Sequence, residues 1–375
     1  MPSPQPIRAG ILAVLVPIAF AGSSLQQLWE VRLSEKLAEP AGWTAAIGHP
    51  IIALAFSPDG KRLAATMDSH YQDRVQKTHL LIVDVQSPQA AFRQFDLETC
   101  GKYLAWSPGG DALLVCGRIL RLADGSSCDL LETPHQRAAR ELGNVVFWFT
   151  SDRAIRANRT ITDLSCQSVD TWPMEENWFV AGTVPEKGWM LLRQSLSGTV
   201  EGRTFPFRDH DYAIADRDSH TLTSGMLLEA AFRDFNSRDF HSIMAQGAAM
   251  FCSQLTPAGG YKSALRCWNL PEGQVIPLPS ELSNHGIVQA ARSSPRVVAE
   301  RMGNRTFTLG EAAPELLGLM VVDLRSGKRI ATLKPHSQQR RYSLSGDRYF
   351  QHALSPSGDL LAEGGDGSLR LYRLP

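Results

Sequence analysis

One short pattern occurs three times in the chain: "LAFSPDGKRLAAT" (54–66), "LAWSPGGDALLVC" (104–116) and "HALSPSGDLLAEG" (352–364). Each copy is an apolar run, then Ser-Pro-x-Gly, then a second apolar run. Proline presets φ near −65° and glycine accepts positive φ without a Cβ clash, so the tetrapeptide makes a tight turn. Two short apolar runs around such a turn read as a hairpin. A third run follows each copy, as in "HLLIVDVQS" (79–87), "RILRLADGS" (118–126) and "SLRLYRLP" (368–375). Similar third runs without the turn are "ALRCWNLPEG" (264–273) and "LGLMVVDLRSGK" (317–328). Several lead to a fourth, such as "AAFRQFDL" (90–97), "QVIPLP" (274–279) and "KRIATLKP" (328–335). The unit is four short strands.

Ser57 and Ser107 lie 50 residues apart, and Ser355 lies close to five further periods downstream. Four-stranded units recurring every 40–50 residues are the pattern of a β-propeller. The fold class is therefore all-β, a propeller of seven four-stranded blades. Blades three to six fall at 144–172, 177–228, 238–279 and 285–335. Blade six keeps a remnant of the turn at Ser294-Pro295. A count of six or eight requires a different division of 172–240. The last unit ends after its third strand at Pro375, so its fourth strand must come from elsewhere. "QLWEVRL" (27–33) alternates with period two and supplies it, closing the ring.

The chain resembles the WD-repeat family and its bacterial exported relatives. "GHPIIALAFSPDGKRLAAT" (48–66) carries the Gly48-His49 pair ahead of the turn, and Val322-Asp323 stands where the family has Trp-Asp. The pair is Val83-Asp84, Trp268-Asn269 and Tyr372-Arg373 in other units, and no unit has the full set. The resemblance covers about half the chain and implies the propeller fold.

The N-terminus reads differently. "MPSPQPIRAGILAVLVPIAFAGSS" has one charge, Arg8, then an apolar run from Ala9 to Ala21, then small polar residues. This is the order of a secretory signal cut after Ala21, leaving 22–375 as one propeller domain that is secreted or periplasmic. Crossing a bilayer takes about 20 apolar residues. The run is shorter and contains Pro17, so no stable membrane insertion is expected after cleavage. Export permits disulfides among the six cysteines. Cys252–Cys267 is the favoured pair, because one loop joins the two strands concerned. Cys116–Cys128 is a second candidate on similar grounds, and buried free thiols are the alternative.

Lys+Arg and Asp+Glu are equal at 38 each, and no block of five like charges occurs, which gives no pull toward nucleic acid. Motifs for metalloproteases, serine hydrolases, phosphate loops and dinucleotides are absent, and no cofactor is implied. The densest polar cluster, "RDHDYAIADRDSH" (208–220), offers Asp209, His210, Asp211, Asp216, Asp218 and His220 to a metal ion. The competing reading is a solvated loop. The second-to-third-strand connections read as loops on the face opposite the Ser-Pro turns. They bring His70, Tyr71 and Arg74, then Tyr261, then Arg305 and Phe307 to one side of the disc. Trp106, Trp148, Trp178 and Trp268 read as packing residues. The expected function is a non-enzymatic scaffold that binds a protein or peptide through the inter-blade loop face. An enzyme with a site at the channel mouth on that face, a hydrolase or lyase, is the alternative. A carbohydrate or cell-envelope binder is a further one.

Overall fold

The structure, a computed structural model, describes residues 25–33, 51–71, 74–88, 92–97, 104–130, 146–156, 158–173, 178–194, 198–200, 203–205, 212–220, 235–236, 243–245, 250–257, 264–269, 275–278, 282, 285–302, 316–334, 351–365 and 367–375. The leader at 1–21 lies outside these. No described helix is long and apolar enough to cross a membrane.

Antiparallel sheets follow one another along the chain, and each first strand lies beside the first strand of the next sheet. Sheet one is Ile51–Phe56, Arg62–Tyr71, Arg74–Asp84 and Phe92–Leu97. Sheet two covers Leu104–Trp106 to Ser127–Asp129, and sheet three Val146–Trp148 to Ser168–Thr171. Sheet five runs from Ile243–Ala245 to Val275–Ile276, and sheet six from His285–Ala290 to Lys328–Leu333. Sheet seven is Gln351–Leu354, Leu360–Gly364 and Ser368–Arg373, completed by Gln26–Arg32 from the other end of the chain. The first strand of sheet seven packs on those of sheets six and one, so the sequence of sheets closes on itself.

Six of these blades are four strands wide, which corrects the expected seven; in sheet five the edge place beside Met250–Pro257 is shared by two short strands, Phe235–Asn236 and Ile243–Ala245. The sheet between the third and fifth has three among the described residues: Trp178–Val184, Trp189–Gln194 and Tyr212–Asp216. A separate hairpin, Gly198–Val200 with Arg203–Phe205, interrupts it. The physical reason is visible in "SGTVEGRTFPFRDHD" (197–211), where glycine and charge replace the alternation that a strand in a packed sheet requires.

Neighbouring blades share apolar cores, since inward-facing residues of one sheet meet those of the next. Leu80, Ile82, Trp106, Leu113 and Leu120 join sheets one and two, and Leu319, Val321, Leu361 and Tyr372 join sheets six and seven. The closing strand adds Val31 and Leu33 to the core between sheets seven and one. Gly364 is in that contact too. A Cβ there would sit 2.8 Å from Ile51 Cγ2, so the close approach needs glycine.

The cysteines differ from expectation. Cys128 is bonded to Cys166, with Cα atoms 5.8 Å apart, which staples the outer strand of sheet two to a turn of sheet three. This excludes Cys116–Cys128. Cys116 and Cys128 are near in sequence, but the ring brings the edge of the next blade nearer still. Cys252 and Cys267 are direct cross-strand partners, as the shared loop implied. Cys116 and Cys267 each belong to a disulfide of their own, separate from Cys128–Cys166.

Candidate functional site

The Ser-Pro turns build one face of the disc. The Ser57 carbonyl accepts from the Gly60 N–H at 2.9 Å, and Gly60 has φ +70°. The Ser57 hydroxyl oxygen accepts from the Arg62 N–H at 2.9 Å and donates to Asp59. Ser107 and Ser355 repeat the arrangement with Asp111 and Asp359. The Asp at the end of the third strand caps a different turn. Asp84 accepts from the N–H groups of Gln86 and Ser87, and Asp323 from that of Ser326.

Inner strands are tied to one another at this face. The Trp106 indole donates to the Ala55 carbonyl at 2.9 Å, and the Trp148 indole to that of Ala105 at 3.1 Å. The Thr183 hydroxyl donates to the Trp148 carbonyl at 2.8 Å, and the Leu354 N–H to Gln289 Oε1 at 2.8 Å. The tryptophans are thus buried packing residues, as the sequence implied, and also cross-links between blades. Inside this girdle the channel mouth holds a half-open cavity of about 240 Å³. Phe56, Trp106, Phe147 and Trp148 form an aromatic wall, and Gln289 and Arg292 are among the polar groups opposite. Arg292 pairs with Glu186, which sits on the short turn Pro185–Lys187 of sheet four. Burial lowers the Arg292 guanidinium below its ordinary value against the pull of that carboxylate. Its Nε–H is buried without an acceptor among the described residues.

Neither Arg292 nor Glu186 was legible as a site residue. The hydrogen bonds show why. The N–H of Ala291 reaches the carbonyl five residues on, just as those of Ser57, Ser107 and Ser355 do. Ala291 therefore stands in the serine place and Arg292 in the place of Pro58, Pro108 and Pro356. The Ser294-Pro295 remnant is three residues out of register. An arginine in the proline place of a turn was the available signal.

The opposite face also differs from expectation. Residues 66–71 and 74–79 are not a loop: the ladder between the second and third strands continues through Asp68↔Thr78, Ser69↔Lys77, His70↔Val75 and Tyr71↔Arg74. The first strand stops at Ile51↔Met67 and the fourth at Thr78↔Leu97. Alternation carries on through "MDSHY" and "RVQKT", so the pair keeps its strand conformation past the blade. His70, Tyr71 and Arg74 lie at the tip of this overhanging ribbon. Tyr261, Arg305 and Phe307 lie outside the described residues.

At the root of the ribbon, Asp96 takes hydrogen bonds from Lys77, from Gln94 at 3.0 Å and from His79 at 2.9 Å. Burial pushes its carboxyl up, but those bonds and the Lys77 charge overcome it and hold it at about 2. A carboxylate depressed in the folded state stabilises fully above its unfolded value of 3.8 and loses this as pH falls toward about 2. Asp96 is 43% exposed, so the effect is at most about 1 kcal/mol. Urea unfolding should show Asp96→Asn less stable than wild type at pH 6. The difference should shrink as pH falls from about 4 toward 2, and one that stays undiminished at pH 2 would contradict the assignment.

Of the proposed metal cluster, Asp209, His210 and Asp211 lie outside the described residues. Asp216 accepts from the N–H groups of Asp218 and Ser219, and Asp218 pairs with Arg217 at 2.8 Å. His220 has φ +59° and meets the edge of Trp172. These residues shape the turn after Tyr212–Asp216. Among the described residues no three His, Cys, Asp or Glu are grouped to hold a metal ion.

No family profile matches the chain, and no curated protein matches it. Solved structures do. The β-propeller domain of Cps50 (Swd1) from Myceliophteria thermophila superposes with a TM-score of 0.52 at 12% identity, covering 88% of this chain and 98% of that one. A chain of the mitotic checkpoint complex superposes at 0.50 with 11% identity, covering 98% and 99%. Both are WD40 propellers. At this identity the likeness establishes the fold alone, and that fold is the β-propeller.

Proposed function

We propose that this protein is an exported, non-enzymatic scaffold that captures a protein or peptide partner through the face opposite the Ser-Pro turns. The observation that carries the reading is the overhanging ribbon of sheet one. Four residue pairs, about 13 Å of strand, extend past the first and fourth strands. Among the described residues both edges of the ribbon are open in 68–71 and 74–77. An open edge presents a row of backbone donors and acceptors, to which an extended segment can add as a further strand. The ribbon springs from a packed core, where Leu63, Ala64, Leu80 and Leu81 are fully buried. Export draws support from the leader pattern and from the Cys128–Cys166 bond, which suits an oxidising compartment. Propeller relatives found within assemblies are consistent with a protein partner.

Replacing 68–77 by a two-residue turn tests the reading. The trimmed protein should still unfold in one cooperative transition, because the four-stranded part of the blade, where Ile51–Phe56 and Phe92–Leu97 flank the inner pair, is left in place. Partners recovered with wild-type protein from the exported fraction should be lost. Equal recovery with the trimmed protein would place the contact elsewhere.

A further inference from the structure

On the Ser-Pro face several arginines brace the ring. Arg62 donates to the Gly110 carbonyl at 2.6 Å, Arg217 to that of Phe149 at 3.1 Å, and Arg296 to that of Gly358 at 2.8 Å. Arg292 behaves differently. Its described partner is the carboxylate of Glu186, held by Nη2; the Nε–H is sealed from solvent with no described acceptor, and the part of the side chain that remains accessible lines the cavity. A guanidinium is a planar fork matched to a carboxylate that takes two parallel bonds, so Arg292 is left short of an acceptor. Glu186 is 43% exposed and rides on a three-residue turn, so it is poorly anchored. Such a half-exposed carboxylate holds its partner weakly.

We propose that the cavity binds a small carboxylate with an aromatic body. The ligand's carboxylate displaces Glu186 from Arg292, and its ring lies against the wall of Phe56, Trp106, Phe147 and Trp148. A pocket with an apolar wall and one fixed charged group is the usual form of a small-ligand site. Glu186 is then a built-in competitor, an internal carboxylate that occupies the fork when no ligand is present. The site is independent of partner capture, which uses the opposite face.

The full-length protein is titrated with benzoate and with benzamide, its neutral counterpart, by calorimetry and by indole fluorescence. N-acetylphenylalanine and its amide serve as the same pair for a peptide chain end. At least one acid should bind with a Kd below about 10 mM, about tenfold or more tighter than its amide. Which acid binds tells a free small acid from a chain end, and either result upholds the site. Arg292→Gln should weaken the acid about tenfold and leave the amide unchanged. Glu186→Gln should tighten the acid, because it removes the competitor. This sign carries the test if Arg292→Gln fails to fold. Equal affinity for acid and amide, no binding by either acid, or a Glu186→Gln protein whose affinity is unchanged or weaker would each overturn the proposal.

Discussion

Removing residues 1–33 should lower the melting temperature by more than about 10 °C. Val31 and Leu33 are 1% and 0% exposed in the core between sheets seven and one. Burying each contributes about 1.5–3 kcal/mol. The Trp29 indole also donates to the Val85 carbonyl at 2.8 Å, and the Leu33 N–H to that of Gly367 at 2.7 Å. Loss of the strand would take away the Glu30 carboxylate that holds Arg370 at 2.9 Å, beside the buried Glu363. It would also bare the edge of Ser368–Arg373, and an open apolar edge promotes association. The truncated protein should therefore run partly as dimer or larger species. A synthetic peptide of residues 22–36 added in excess should restore the melting temperature. An unchanged melting curve after truncation would sink the latch.

Trp106→Ala should cost about 3–5 kcal/mol, the range for deleting a buried aromatic ring. Trp106 is 5% exposed, packs in the core shared by sheets one and two, and lies under the Arg62 guanidinium, 4.8 Å from the ring centre. Its indole also satisfies the Ala55 carbonyl. Trp106→Phe separates the two contributions, since it keeps most of the packing and removes the hydrogen bond, at about 1–3 kcal/mol for an orphaned buried acceptor. Urea unfolding at pH 7 measures both. A phenylalanine variant as unstable as the alanine one would mean that the cross-link, not the packing, holds these blades together.

What could be read in advance, and what could not, divides along a physical line. The turns at Ser57, Ser107 and Ser355 were legible because proline and glycine act within four residues, and Gly60, Gly110 and Gly358 do adopt positive φ. The closing strand was legible because the alternation of Trp29, Val31 and Leu33 signals one buried face. The ribbon was misread as a loop, although "MDSHY" and "RVQKT" keep strand-like alternation, because a long connection between strands was assumed to leave the ladder. The three-stranded sheet was miscounted because a constant period was carried through residues whose glycines and charges do not sustain it.

Local turn chemistry and a repeat near 50 residues were thus enough to specify closed rings of short sheets, since each depends on neighbours a few positions away. Which side chains meet across the ring had no such signature. Cys128 finds Cys166, and Arg292 finds Glu186 from a blade two places away, because closing a circle sets the distance between elements that are remote in the chain. Those meetings exist only once every blade has packed on the next.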